Sequence, residues 1–462
     1  MPDAGGTEAG RIAMRENKSM DNRFGEMPIE GEQIGEQMQA FVAQMYPLCR
    51  SITGAGFRET LAMVQCHIPL EIHEVPTGTP VFDWTVPKEW NIRDAYVKDS
   101  AGRRVIDFKK SNLHVVSYSV PVSATLSLTE LKPHLFSIPE HPDWIPYRTT
   151  YYQETWGFCL SHHDLMEMKE DRYEVRIDST LEPGHLTYGE YVLPGEEESE
   201  ILLSCHACHP SLCNDNLSSV ALLIFLAKHL SAYPRRYSYR FLFIPGTIGS
   251  ITWLSLNEAK VQRIKHGLVA ACTGDPGKTT YKKSRRGDAE IDRAVTHVLK
   301  HSDSDYEIID FSPYGYDERQ YNSPGFNLPV GCLMRTPHER YPEYHTSADD
   351  LAFVRPDCMA DSFRKYLSVL KVLENNRAYL NLNPKCEPQL GKRGLYRPVG
   401  DDRERGFDRM SLLWVLNLSD GRHTLLDIAE RAGYPFHIIQ NAAMALLRNN
   451  LLEPVEQSAQ GA

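Results

Sequence analysis

The sequence predicts an α/β protein: a mostly parallel sheet flanked by helices, with an inserted antiparallel β-domain and a C-terminal winged-helix domain. Three observations carry that prediction. From about residue 172, near-continuous apolar strands alternate with helical segments, the pattern of a parallel sheet covered on both faces. Residues 71–130 are instead short strands broken by Pro and Gly turns, which suits a small antiparallel module. The tail carries TLLDIAERAG and PFHIIQNAAMALLRNNLLEP around a Gly-Tyr-Pro turn, the spacing of a helix-turn-helix or winged helix.

Taken in order, residues 1–33 are rich in Gly, Glu and Met and lack an apolar core, so they read as a disordered leader without a secretory signal. Residues 34–66 have helical spacing, interrupted at Pro47 and at Gly54–Gly56. The α/β domain is expected over 34–70 and 131–380, with 71–130 inserted. RYEVRIDSTL and LTYGEYVLPG form an expected hairpin. SEILLSCHA, SYRFLFIPG, HGLVAACTGD and FNLPVGCLMR then read as buried strands. LSSVALLIFLAKHLSAY, SITWLSLNEAKVQRI and EIDRAVTHVLKHS read as the helices between them. The winged helix is placed at 390–462.

Bulk composition excludes several classes of function. Hydrophobic residues at 42% and charged residues at 24% are ordinary for a globular protein, and 462 residues imply two or three domains. No apolar run reaches the ~18 residues of a membrane span, so no membrane partner is expected. The net charge of −11 argues against a general affinity for nucleic acid. The second tail helix, with one Arg and no Lys, points the same way. That module is expected to make protein contacts or to dimerise, so a homo-oligomer through the winged helix or the β-domain is anticipated. The ten cysteines show no framework spacing, which fits reduced thiols in a cytoplasmic protein.

Cys205-His206-Ala207-Cys208-His209 matches the C-x-x-C-H attachment signature of a c-type haem. Such attachment belongs to exported, oxidising compartments, for which the sequence shows no route. The same letters also describe a metal-binding turn at a strand end. The run ILLS delivers His206 to the carboxyl end of its strand, where open α/β sheets bind ligands. Asp215 opens the following helix within NDNLSS, Asp275 follows the strand HGLVAAC, and His345 lies in the polar loop YPEYHTSADD. Each residue has a plain alternative: Asp215 and Asp275 as caps, His206 as a buried hydrogen-bonded histidine. Two imidazoles and two carboxylates converging at strand ends suit a borderline metal such as Zn²⁺ better than four unrelated caps. His209 could replace or join His206, and Cys208 and Cys213 read first as small buried residues. In YDERQYNSPG, Asp317 and Arg319 are candidate substrate-binding residues, Arg319 as a carboxylate grip. Arg335 has the same standing, with a structural ion pair as the alternative for all three.

The stretches HPSLCNDNLSS, FIPGTIGSITWL, YDERQYNSPGFNLPVG and YPEYHTSADDLAFV resemble the zinc aminopeptidase superfamily. More closely, residues 34–455 resemble its bacterial aminopeptidase-like members with an inserted β-domain and a C-terminal winged helix. The resemblance implies one or two zinc ions: His206 and Asp275 on one, Asp215 bridging, His345 on the second. It implies hydrolysis of an amide next to a free amino group, in a short peptide or an aminoacylated small molecule. The family carries a Glu-Glu pair after the strand matching YRFLFIPG, and this chain has Pro245-Gly246-Thr247 there. Glu318 and Glu343 are then the candidate catalytic carboxylates. The other ways to meet that departure are a single-metal site, as in the related glutaminyl cyclases, or a non-hydrolytic reaction such as amide formation or cyclisation. A non-catalytic binding protein is the remaining alternative.

Overall fold

A computed structural model describes residues 31–396 and 406–455. The chain divides into two compact units, residues 1–289 with 307–364 and residues 290–306 with 365–462.

The first unit is built on an eight-stranded sheet. Its order is Glu71–Pro76, His185–Leu193, Ser238–Ile244, Glu200–His206, Ile264–Ala270, Val330–Met334, Thr279–Lys282 and Tyr306–Ile309. The four central strands run parallel, and antiparallel strands flank them on both sides. Every residue of Glu200–His206 and of Ser238–Ile244 is buried, as central parallel strands require. The connection after Glu200–His206 goes to one neighbouring strand and the next connection crosses to the other neighbour. This reversal opens a crevice at the carboxyl end of the strand that carries His206.

Two expected boundaries move. The strand Glu71–Pro76 pairs with His185–Leu193 in the large sheet, so the inserted module begins after it. The insertion's own sheet runs Arg104–Asp107, Glu89–Lys98, Arg172–Glu182, Val122–Ser127, so it extends to residue 182 rather than 130. The anticipated hairpin of 172–181 with 186–195 is therefore not formed. Arg172–Glu182 pairs with Glu89–Lys98 and Val122–Ser127, whereas His185–Leu193 joins the large sheet. Burial explains the separation. The first of these strands alternates exposed and buried residues, as a sheet with one wet face does. The second is buried almost throughout and needs cover on both faces.

The helices Gly31–Met45 and Ala55–Gln65 form where the 3.6-residue spacing placed them; residues 1–30 of the expected leader lie outside the described residues. Beneath the central strands a buried ionic cluster is fully paired. Arg240 donates to Glu200 at 2.6 and 2.7 Å and to Glu190, which also accepts from Trp253 Nε1 at 2.8 Å.

The second unit contains the expected winged helix. Helices Arg409–Leu418, Leu425–Ala432 and Phe436–Arg448 accompany a sheet ordered Asp420–Thr424, Ala378–Asn381, Leu452–Pro454. The module thus starts at the strand from Ala378, earlier than the expected 390. Capping boxes start the first two helices, at Asp408 and Thr424, and Gly433 at φ 71° ends the second, a left-handed turn that glycine adopts without a Cβ penalty. Helix Glu290–Lys300 groups with this unit, where Arg293 binds Asp427 at 2.6 Å.

Candidate active site

The buried strand Glu200–His206 ends by placing His206 at the crevice, 2% exposed, and the irregular turn Cys213–Leu217 returns Asp215 to it, 0% exposed. His206 Nε2 lies 2.7 Å from Asp215 Oδ1, and His345 Nε2 lies 3.0 Å from Asp215 Oδ2. The two imidazoles thus occupy one carboxylate oxygen each. His209 is the third ring of the group: its centroid is 4.9 Å from that of His206 and 5.1 Å from that of His345. Its Nδ1 is buried and has no hydrogen-bond partner. One ligand atom from each of His206, His209 and Asp215 falls within 4.8 Å of the others.

Charge in this cluster is set by competition between burial and neighbours. Burial disfavours the Asp215 carboxylate, but His209 and His206, with hydrogen bonds from His206 and His345, hold its pKa well below the usual carboxylate range. Burial likewise opposes the His206 cation, and Asp215 outweighs it, so the His206 pKa rises. His209 is pushed down to about 3 by burial, with Asp215 opposing the fall and His206, His345 and Arg50 adding to it. His209 is therefore neutral near pH 7, the form in which a ring nitrogen accepts a metal.

Surrounding residues fix these groups in place. Asp349, in the loop HTSAD that also supplies His345, accepts the backbone N–H groups of Asn214 and Asp215 at 2.5 and 2.9 Å. Asn216 Nδ2 reaches the His206 and Ala270 carbonyls, both at 3.1 Å, and its Oδ1 accepts the Cys272 N–H at 3.0 Å. Tyr316 stacks on His206 at 5.2 Å, Tyr344 on His345 at 3.9 Å, and Tyr147 meets His209 edge-on at 5.2 Å. These holders were not foreseen from the sequence. The only signals were the carboxylate four residues after His345 and the asparagines on either side of Asp215.

The cluster opens on a cavity of about 290 Å³ lined by His206, His209, Gly246, Thr247, Asp317 and Arg319, with aromatic walls. Asp317 stands out there. Its Oδ1 accepts from Ser250 Oγ at 2.7 Å, while its Oδ2 is buried with no hydrogen-bond partner. Burial raises its pKa to about 6, with Glu318 adding to the rise and His206 and Ser250 opposing it. Gly246, at the place expected to carry a Glu-Glu pair, lies between the two groups. A Cβ there would sit 3.0 Å from His206 Cβ and 3.4 Å from Asp317 Oδ2.

Other expected site residues lie elsewhere. Asp275 is separate from the histidine group, and both its oxygens are engaged. They accept from Asn214 Nδ2 at 3.1 Å, Gly277 N at 2.8 Å, and Thr336 N and Oγ1 at 3.2 and 2.5 Å. Glu318 forms a buried ion pair with Lys282 at 2.8 Å and does not line the cavity. Glu343 does not line it either; its carbonyl caps Thr346. Arg335 binds Asp361 at 2.7 Å, so the structural alternative holds for it. The haem reading also fails, because Cys205 within the strand Glu200–His206 and Cys208 just after it have no exposed surface from which to reach a haem.

As a set, two imidazoles from one turn, a third from a distant loop and a buried carboxylate make a nitrogen–oxygen donor group of the kind zinc accepts. The orphaned His209 Nδ1 is the observation that most favours a cation there, since an unpaired buried ring nitrogen is otherwise costly.

The fold and this site define an aminopeptidase-like α/β protein with an appended winged helix. The chain belongs to the family described as a domain of unknown function, DUF4910, whose model matches residues 39–376; a winged helix-turn-helix model matches 377–454. It is 57% identical over 423 residues to a Clostridium acetobutylicum protein, covering 92% of this chain and 97% of that one. That protein is named, provisionally, as a polysaccharide biosynthesis protein with an aminopeptidase-like domain. A crystal structure from C. acetobutylicum, described provisionally as a peptidase, matches with a TM-score of 0.88 and 54% identity, over 96% of this chain and 100% of that one. The zinc aminopeptidase of Bacillus subtilis matches with a TM-score of 0.55 and 10% identity, over 75% of this chain and 96% of that one, and so shares the fold.

Proposed function

We propose that the protein is a zinc-dependent hydrolase acting on an amide next to a free amino group in a small molecule. The observation that carries this reading is the buried Asp215 with His206 and His345 at 2.7 and 3.0 Å and the unpaired His209 beside them. His206, His209, Asp215 and His345 are the residues that would hold the metal. When bound, the ion supplies Lewis acidity toward an amide carbonyl.

The rest of the chemistry falls to the chain's own side chains. Asp317 replaces Glu318 and Glu343 as the general base: it faces the cavity, has a free oxygen, and its pKa of about 6 leaves it ionised yet basic near neutral pH. It takes a proton from the attacking water and returns it to the departing amine. Tyr316 and Tyr344 keep the imidazoles oriented, and the aromatic walls limit the entry of bulk water. The scale of the cavity favours a short substrate over a folded chain.

The Clostridium relative's name supports a role in polysaccharide biosynthesis; joined to the amide-hydrolase reading, that role makes an aminoacylated sugar the substrate we propose. All ten cysteines are unpaired, which supports a reducing, cytoplasmic setting. Among the described residues no helix is long and apolar enough to cross a membrane. The winged helix is read as a protein-contact module, since Arg448 is the one Arg or Lys in its last helix.

One observation favours a second reading, amide formation or cyclisation: no carboxylate comes from residues 245–250, where aminopeptidases supply their pair. A test incubates zinc-loaded protein with aminoacyl amides, and separately with the corresponding acids and amines, following both directions by mass. Release of free amino acid that Asp317→Asn abolishes supports the hydrolase. Product formation in the joining direction alone would replace it with the second reading.

A further inference from the structure

We infer that the cavity beside the metal-binding group takes an anionic amino sugar: the pyranose ring lies on an aromatic rim formed by Trp84 and Tyr152, and Arg319 binds the anionic substituent. This inference rests on the hydrolase reading for what happens to the substrate, but not for how the substrate is held.

The rim is a built feature. Trp84 and Tyr152 both line the cavity, yet they are 47% and 54% exposed. Their ring centroids lie 5.4 Å apart with planes tilted by 56°, so the two rings pack against each other as one aromatic patch. Large aromatic side chains left wet beside a polar site mark a binding surface. Trp84 is held there by the short hairpin pairing Pro80–Val81 with Trp84–Thr85. Val81 anchors the hairpin with no exposed surface, and Phe82 packs edge-on against Phe326 at 5.7 Å. The indole is therefore presented from a fixed support and not from a loose loop.

Arg319 supplies the charge. Its Nε is buried without a hydrogen-bond partner, and the guanidinium lies 5.8 Å from the Tyr314 ring centre. Among the described residues no carboxylate forms an ion pair with it, in contrast to Arg335, Arg240 and Arg293. A half-buried guanidinium with unused N–H groups matches a carboxylate or a phosphate.

The combination selects the ligand. One face of a pyranose is a patch of C–H groups that suits the negative face of an aromatic ring, while its hydroxyls remain in water at an open rim. A peptide entering amino end first would use a strand edge or a row of backbone groups for its main chain. The residues lining this cavity are rich in aromatic rings, Trp84, Tyr151, Tyr152, Tyr316 and Tyr344, and none of them belongs to an edge strand of the large sheet. Arg319, Asp317 and the aromatic rim line the same cavity of about 290 Å³, which suits a ring bearing both an amide and an acid. That acid can be a carboxylate, as in a uronate, or a phosphate ester.

The test measures binding by calorimetry to the full-length, zinc-loaded protein. The probes are N-acetylglucosamine 6-phosphate, N-acetylglucosaminuronate, uncharged N-acetylglucosamine and the dipeptide Leu-Phe. At least one anionic sugar is expected to bind about tenfold or more tighter than N-acetylglucosamine, and the tighter of the two tells phosphate from carboxylate. Arg319→Gln should weaken the anionic sugars ~10–100-fold and leave N-acetylglucosamine unchanged. Trp84→Ala should weaken all three sugars by roughly tenfold, while zinc content stays at the wild-type level in both variants. Preferential binding of Leu-Phe, or anionic sugars indifferent to Arg319→Gln in protein that retains zinc, would overturn the inference. Anionic sugars bound as expected by a protein that hydrolyses no aminoacyl amide would keep the substrate class and remove the hydrolase reading, so the two can fail separately.

Discussion

Two loops at the carboxyl end of the central sheet each carry a buried aspartate, and the structure gives them different neighbours. Asp215, after the His206 strand, meets ring nitrogens from two histidines, with a third imidazole alongside. Asp275, after the strand Ile264–Ala270, meets amide and hydroxyl donors from Asn214, Gly277 and Thr336. Both are almost completely buried, and both sit where an α/β sheet places ligands. The chemistry of the partners separates them. Imidazole nitrogens can release a proton and bind a cation, whereas backbone N–H groups can only donate. The first loop is thus suited to a metal, and the second ties neighbouring loops together around Asn214.

That contrast is most exposed to test at Asp215. Asp215→Ala removes the carboxylate shared by two imidazoles, and amide hydrolysis by zinc-loaded protein is expected to fall by ~10³-fold or more. Activity near the wild-type level would break the contrast at once.

Asp317→Asn comes next, with an expected loss of ~10²–10⁴ in kcat and no loss of metal. A base must be ionised, so the wild-type rate should rise with pH through about 6 and then flatten. The variant should lack that inflection. The same group has a consequence for stability in metal-free protein. Its folded-state pKa of about 6 lies above the unfolded value of about 4. An acid raised in this way costs stability as pH climbs between those values, because the unfolded chain gives up its proton first. The melting temperature of Asp317→Asn relative to wild type should therefore rise from pH 4 to 7.

Asp275→Asn sharpens the other half of the comparison. Replacing a carboxylate that accepts four hydrogen bonds should cost about 1–3 kcal/mol of stability in denaturant titration. Its kcat, once the protein is folded, should stay within a few-fold of wild type. The smallest effect is expected at Glu343→Gln, with stability within about 0.5 kcal/mol and rate within about twofold of wild type, since its side chain does not line the cavity.

The order of strands and helices was legible because burial imposes distinct periods on them. Central strands such as Glu200–His206 read as unbroken apolar runs, and Ala55–Gln65 reads at 3.6 residues per turn. The aminopeptidase-like fold and the winged helix followed from motifs tied to those elements. Pairing was harder. Arg172–Glu182 and His185–Leu193 are adjacent and both strand-like, and nothing local shows that each finds its partners in a different sheet. In the site, His206, Asp215, His209 and His345 could be picked out as strand-end and loop residues. Which carboxylate faces which donor could not, because Asn214 and Thr336 come from distant positions to claim Asp275. Asp317 could be marked as a candidate substrate-binding residue, but that one of its oxygens is left free while Glu318 pairs with Lys282 is a matter of three-dimensional packing.

The most direct test of the central claim is the metal content of wild type, Asp215→Ala and Asp275→Asn, by elemental analysis of untagged protein dialysed against limiting zinc. The account predicts at least one zinc per chain in wild type and in Asp275→Asn, and none in Asp215→Ala. Zinc retained without Asp215, or lost with Asp275 in folded protein, would contradict it.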